Sequence, residues 1–238
     1  MQEAIDAVRS GRPLLVTAGA GLGVDGGLPD FRGPGGWWGD QRLEERATAA
    51  WFDDDPAEAW AFYRGRRALY ASTPPHPGYA VLIERAGFVF TSNVDGHFVR
   101  AGLDPDRIVE IHGSLERLQC ATPCSRSTWP TEDALPFPLC PRCGGPARPN
   151  VCVFDDRRWI AVPSVLQGRR YDRWLGDHPQ PVVLELGAGT AVPNVRREGE
   201  RLQGLGATLV RVNPHEAEGP PGTLSVAMGA LAFLSAVG

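Results

Sequence analysis

A short apolar run, Leu14-Leu15-Val16-Thr17, passes straight into a segment with five glycines, Gly19-Ala20-Gly21-Leu22-Gly23-Val24-Asp25-Gly26-Gly27. A strand this apolar needs cover on both faces, which is the condition of a central strand in a parallel sheet. Glycines directly after such a strand let the backbone approach a neighbour closely, and a dinucleotide pyrophosphate is one such neighbour. Taken alone, the glycines are also compatible with a flexible turn.

The rest of the chain repeats the alternation. Residues 1–10 have helical composition and stop at Ser10-Gly11-Arg12-Pro13. A helical pattern runs from about Asp55-Pro56 to Tyr70, with Pro56 suited to the first turn, and Pro74, Pro75 and Pro77 close that region. There follow a helix near 78–86, a strand at Phe88-Val89-Phe90, a helix after Asp95 and a strand near 108–111. Beyond a Cys- and Pro-rich segment come a strand at 182–186, a helix near 194–204, a strand at 208–212 and a C-terminal helix near 223–236. Strands alternating with helices predict an α/β fold, a doubly wound parallel sheet of Rossmann-like type. With 238 residues, one large domain carrying inserts accounts for the length better than two independent ones.

Four of the five cysteines lie within 24 residues, as Cys120-x3-Cys124 and Cys140-x2-Cys143. Two such pairs separated by a 15-residue loop can present four thiolates tetrahedrally to one zinc ion. A closed four-sulfur site leaves no position for substrate, so the expected role of the zinc is structural. Cys152 stands apart in the apolar run Val151-Cys152-Val153-Phe154 and reads as a small buried hydrophobe.

The formal net charge of -4 supplies no basic field, which argues against nucleic acid or an anionic membrane as partner. All 24 cationic side chains are arginine and none is lysine, so the chain has no lysine side chain of its own to modify. The N-terminus lacks a charged start followed by an apolar core, and no stretch reaches the roughly 18 apolar residues of a membrane span, so a cytoplasmic location is expected.

A hydride-transfer dehydrogenase would place a second strand soon after the glycine loop, with an acid about 20 residues on to hold a ribose. Here Leu28-Pro29-Asp30-Phe31-Arg32-Gly33 follows instead, then the Gly- and Trp-rich loop 33–40 and a helix, and the next strand arrives only at Phe88. The glycine block and GLPDFRG at this spacing, then TSNVDG at 91–96, EIHGS at 110–114, the paired cysteines, ELGAG at 185–189 and RVN at 211–213, resemble the sirtuin family in order over nearly the whole chain. That resemblance implies a Rossmann-like part over about 1–32, 78–118 and 160–238. It also implies a smaller domain built from a helical insert at about 33–77 and a zinc ribbon at about 119–159.

The resemblance implies an NAD-dependent protein-lysine deacylase that releases nicotinamide and O-acyl-ADP-ribose, with NAD and an acyl-lysine protein or peptide as partners and a monomer sufficient. By the same match His112 is the general base, a role its near-neutral titration suits, and Asn93 acts with it on the ribose or a water. Gly19, Ala20 and Gly21 would cradle the cofactor; Asp30, Phe31 and Arg32 would form its covering loop. Ser92, Asn93 and Asp95 would line the nicotinamide and ribose, Gly187, Ala188 and Gly189 would lie beneath the cofactor, and Asn213 would meet the adenosine ribose. Asn93 and Asp95 also read as a helix N-cap.

On the substrate side, Val153 and Phe154 would pair with the peptide backbone by strand addition. Ala47, Tyr63 and Arg66 resemble the acyl pocket of class III sirtuins, where the arginine binds a succinyl or malonyl carboxylate. Arg66, in the crowd of Arg64 and Arg67, also reads as a cation on a solvated helix face. The chain departs from the family pattern where Ser92 replaces Gln, His97-Phe98 replaces Leu-His, Ala188-Gly189 replaces Thr-Ser, and Asp155-Asp156 replaces Gly-Glu. Two other readings of the same pocket are an NAD glycohydrolase or ADP-ribosyltransferase and a non-catalytic NAD- or peptide-binding module.

Overall fold

The computed structural model describes residues 1–29, 47–131 and 137–238. In chain order its elements are α1 (Gln2–Arg9), β1 (Leu14–Ala18), α2 (Gly21–Val24), α3 (Trp51–Asp54), α4 (Pro56–Ser72), α5 (Gly78–Arg85), β2 (Phe88–Thr91), α6 (His97–Arg100), β3 (Ile108–Glu110), β4 (Gly113–Cys120), β5 (Thr128–Pro130), β6 (Ala147–Val151), α7 (Val162–Asp177), β7 (Val182–Leu186), α8 (Asn194–Gly204), β8 (Thr208–Val212), β9 (Leu224–Val226) and α9 (Ala230–Val237).

Six strands form a parallel sheet in the order β3-β2-β1-β7-β8-β9. Side chains alternate across it as the two-residue period of a strand requires. Leu14, Val16 and Ala18 of β1 join one core cluster, with α1, α5 and α9, while Leu15 joins the other, with Tyr171 of α7 and Leu202 of α8. Both faces are covered, so every residue of β1 and β7 is buried. A second sheet, antiparallel with order β5-β4-β6, continues directly from β3 through Ile111 and His112. Its Leu115, Leu118 and Val151 share a core with Trp51, Phe52, Trp60 and Tyr63 of α3 and α4.

Two expectations change. The stretch expected as a C-terminal helix from 223 begins as strand β9, which pairs with β8, and the helix starts only at Ala230. The 16-residue helix α7 is an addition to the elements anticipated above. Its only fully buried residue is Tyr171, so it carries little of the apolar periodicity that marks a helix in sequence. Among the described residues, no helix is long and apolar enough to cross a membrane.

One face of the sheet holds an ion pair. Arg211 on β8 donates to both carboxylate oxygens of Glu185 on the adjacent β7, at 2.6 and 3.0 Å, and to Glu200 of α8 at 2.9 Å. Glu185 and Arg211 are both wholly buried. Removing one member of such a pair leaves a charge stranded in the interior. Glu185→Gln is therefore expected to lower stability by about 3 kcal/mol, since Glu200 still faces Arg211. Urea unfolding with an unchanged slope reads this out, and a loss under about 1 kcal/mol would show that Glu200 alone satisfies the arginine.

Candidate active site

The sheet order reverses between β1 and β7: the chain leaves β1 toward β2 and β3, then returns to fill the other side. Ligands of open parallel sheets bind outside the carboxyl ends of the strands at such a switch point. Both strands end in glycine turns there, and the turns interlock. Gly19 donates to the Leu186 carbonyl and Gly21 to the Gly187 carbonyl, each at 3.0 Å. A Cβ on Gly19 would lie 2.7 Å from the Gly187 oxygen, and one on Gly187, whose φ is +60°, would lie 2.2 Å from the Leu22 nitrogen. The glycines are thus required by the meeting of two backbones, before any ligand is considered.

Other expected residues close around this pair of turns. Asn93 is buried and its side-chain amide donates to the Gly19 carbonyl at 3.0 Å, while its backbone N–H donates to Thr91 Oγ1. The Ser92 N–H donates to the Ala18 carbonyl. Asn213 donates to the Ala188 carbonyl at 3.1 Å and accepts from the N–H groups of His215 and Glu216. Its side chain braces the turn after β7 from below. Beside Gly189, Glu216 accepts from both the N–H and the hydroxyl of Thr190, at 3.0 and 2.6 Å. Asp30, Phe31 and Arg32 lie outside the described residues.

Asp95 caps the start of α6 by accepting from the His97 N–H at 2.8 Å. Burial pushes its carboxyl upward, against the pull of His97, Arg66 and Arg100. His97 is 2 % exposed, packs against the rings of Tyr70 and Tyr79, and keeps a buried Nδ1 with no hydrogen-bond partner. The histidine that departs from the family pattern is therefore a packed side chain within the core.

His112 occupies the junction of the two sheets. Its carbonyl accepts from the Cys152 N–H, and the next residue, Gly113, has φ +77°, where a Cβ would lie 2.0 Å from the Asn150 carbonyl oxygen. The half-buried ring stands 3.1 Å, through Nε2, from the side-chain nitrogen of Asn194, the first residue of α8. An amide nitrogen can only donate, so Nε2 accepts and the ring proton belongs on Nδ1. Burial holds this imidazole below its usual value, opposed by the backbone of Ser92. The neutral ring, with a lone pair on Nε2, is the form a general base requires. Asn194 and Glu216 were not singled out in the sequence, because each meets its partner only through the packing of distant segments.

On the small-sheet side, Ala47 is buried and its carbonyl accepts from the Phe154 N–H at 3.0 Å, with Thr48 bridged to Phe154. This brings Ala47 to the segment that holds Val153 and the exposed Phe154. Asp155 has φ +52°, the left-handed region that glycine favours and aspartate tolerates, where the family pattern has Gly. Asp156 pairs with Arg148 at 2.7 Å, both buried. Tyr63 and Arg66 point inward from α4 with exposures of 3 % and 5 %, which removes the solvated-face reading. Arg66 donates to the Tyr70 hydroxyl at 2.6 Å and lies over its ring. Burial drives the Tyr63 phenol up to about 12, against the nearby Arg66 charge, so it is a hydrogen-bond donor at any physiological pH. Cys152 is only half-buried.

The four sulfurs of Cys120, Cys124, Cys140 and Cys143 lie within 4.8 Å of one another. Cys120 and Cys143 are 3.8 Å apart and Cys124 and Cys140 3.6 Å. Tetrahedral zinc with Zn–S bonds of about 2.3 Å sets sulfurs about 3.8 Å apart, so the thiols fit that ion. The knuckle is formed by Gly144, φ +70°, whose N–H donates to the Cys140 carbonyl. A zinc held here would tie the end of β4 to the turn before β6.

Fold and sites define a Rossmann-like α/β protein with an inserted four-cysteine ribbon. Within that class the chain belongs to the Sir2 family, whose model matches residues 19–166. It is similar to NAD-dependent protein deacylase 2 of Pyrobaculum aerophilum, 38% identical over 158 residues that cover 63% of this chain and 62% of that protein. It is also similar to NAD-dependent protein deacylase 1 of Pseudomonas aeruginosa, 31% identical over 233 residues, 90% of this chain and 88% of that protein. A Sir2 homologue solved as an ADP-ribose complex superposes with a TM-score of 0.84 at 25% identity, covering 100% of this chain and 94% of that one.

Proposed function

We propose that this protein is an NAD-dependent protein-lysine deacylase that works as a monomer in the cytoplasm on acyl-lysine proteins, without nucleic acid or membrane. The observation that carries this reading is the position of His112. A neutral imidazole stands at the junction of the two sheets, near the switch point where the Gly19–Gly21 and Gly187–Gly189 turns meet. NAD would lie over those turns, with Asn93, Ser92 and Asp95 around its nicotinamide end and Asn213 bracing the adenosine side. The substrate backbone would add to the segment carrying Val153 and Phe154, its acyl-lysine directed toward His112.

In the reaction the nicotinamide–ribose bond would break as the acyl oxygen bonds the vacated ribose carbon. His112 would accept a proton from a ribose hydroxyl, which attacks the acyl carbon, and with the addition of one water the acyl–lysine C–N bond would break to leave the free lysine amine and O-acyl-ADP-ribose. Ser92 in place of a glutamine removes one hydrogen bond, a change of about 1 kcal/mol in ligand binding. Nicotinamide release measured with and without an acyl-lysine peptide tests the reading: release that depends on peptide supports it. Release independent of peptide would identify a glycohydrolase, and no release a binding module.

For the acyl group, the buried pair Tyr63 and Arg66 offers a phenol donor and a planar cation, which favours an acidic acyl chain. Arg66→Met is expected to lower kcat/KM on a succinyl peptide roughly 10- to 100-fold more than on the acetyl peptide of the same sequence. Equal loss on both, or none on either, would sink this assignment.

A further inference from the structure

Beside the four-cysteine ribbon, a cleft of about 480 Å³ opens between the turn at Pro123–Arg126, the segment Arg157–Ala161 and the first turns of α7. One wall is apolar and faces solvent: Val162, Val165 and Leu166 are 37%, 52% and 47% exposed. Single exposed aliphatics need no explanation, but three on successive turns of one helix, lining one cleft, form a patch.

The cleft is also positively charged. Arg126, Arg157 and Arg169 line it and are exposed, and none makes a hydrogen bond or ion pair with another described residue through its side chain. Arg158, which also lines it, is by contrast already matched to Asp53 at 2.7 Å. Among the described residues lining the cleft, none is acidic. The N-terminus of α7 adds to the field, because Ala161 and Val162 stand in the wall, no side chain caps the helix and its first turn holds no acid. The positive end of a 16-residue helix is thus left uncompensated, and three guanidinium groups share its neighbourhood. In a chain whose net charge is -4, this is a local concentration of positive charge over an apolar floor.

We propose that this cleft is an exosite for an acidic, partly apolar segment of the protein substrate, separate from the acyl-lysine site. It rests on the deacylase reading in one respect, that the substrate is a protein. Chain continuity supports the link: Arg157 lies three residues beyond Phe154, just past the Val153–Phe154 segment taken to carry the substrate backbone. A peptide leaving that segment would pass the arginine-lined rim, where carboxylates gain from the guanidinium forks and the helix terminus while an apolar residue covers Val165 and Leu166.

The test compares acyl-lysine peptides with neutral flanks and with three aspartates plus a leucine placed on either side of the lysine. An acidic flank is expected to lower KM roughly five- to tenfold at low salt with kcat unchanged, and about 1 M salt should erase the gain. Arg126→Ala/Arg157→Ala/Arg169→Ala is expected to abolish the gain while turnover of the neutral peptide stays as in the parent. The single change Val165→Asp, on the exposed face of α7, should weaken the acidic peptide alone. No preference in the parent, or a preference that survives the triple change, would overturn the exosite. Fluorescence anisotropy of the same acidic peptide lacking the acyl group reads the cleft directly, so it remains decisive even if no peptide is turned over and the deacylase reading fails. Equal competition by a single-stranded oligonucleotide of matched charge would overturn the assignment of a peptide as occupant.

Discussion

His112→Ala is expected to lower peptide-dependent nicotinamide release or acyl transfer by roughly 100- to 10,000-fold, the contribution of a well-placed general base, while the melting curve stays close to that of the parent. The ring is half-buried, with Nε2 bonded to the Asn194 side chain, and among the described residues it is paired with no charged group, so its loss leaves no charge stranded. The pH dependence gives a second reading. The base works as neutral imidazole, and burial lowers its folded titration point. The rate should therefore rise with pH through a midpoint below the ordinary imidazole value of about 6.5 and then level off. A midpoint at or above that value, or a His112→Ala enzyme with near-parental turnover, would remove His112 from the role.

Stripping zinc should have an effect of comparable size by a different route. Structural zinc in small domains carries about 10–16 kcal/mol of apparent binding energy near neutral pH, and most of it is folding energy. The protein is expected to bind one zinc ion, and Cys140→Ser/Cys143→Ser to bind none. The variant should lose the near-ultraviolet signal of Trp129, which lies on β5 of the small sheet, together with deacylase turnover. Because thiolates are the ligands, metal release should become easier as pH falls. ADP-ribose binding separates the two parts of the molecule: retained binding in the zinc-free variant would show that the parallel sheet stands without the ribbon. A variant that keeps its thermal stability and turnover without metal would rule out a structural zinc.

The two largest effects differ in how far the sequence foretold them. The cysteines could be read from spacing, because zinc imposes its own short-range geometry on any chain that carries two such pairs. His112 as base came through family resemblance, since one histidine after an apolar strand has many other uses. What it touches was not legible at all. Asn194 lies 82 positions away and reaches Nε2 only because the N-terminal end of α8 comes up to the segment between β3 and β4. The orientation of Arg66 was likewise undecided, because helical spacing places Tyr63 and Arg66 on one face without saying whether that face looks inward. The aromatic layer of Trp51, Phe52 and Tyr63 decides it. The missed helix α7 and the strand β9 have a common cause: one buries a single side chain fully and the other is only three residues long, so neither carries enough period to stand out.

What the sequence determined by itself is local: apolar strands that must be covered on both faces, glycines at their ends, and four thiols in two close pairs. These follow from sterics and ligand chemistry acting over a few residues. Only the tertiary structure decided why Gly19 and Gly187 need each other, that Glu185 and Arg211 share the sheet interior, that Arg66 is buried, and that three unmatched arginines line one apolar cleft. Each of those depends on contact between segments distant in the chain, and such contacts leave no period or spacing in the sequence from which to read them.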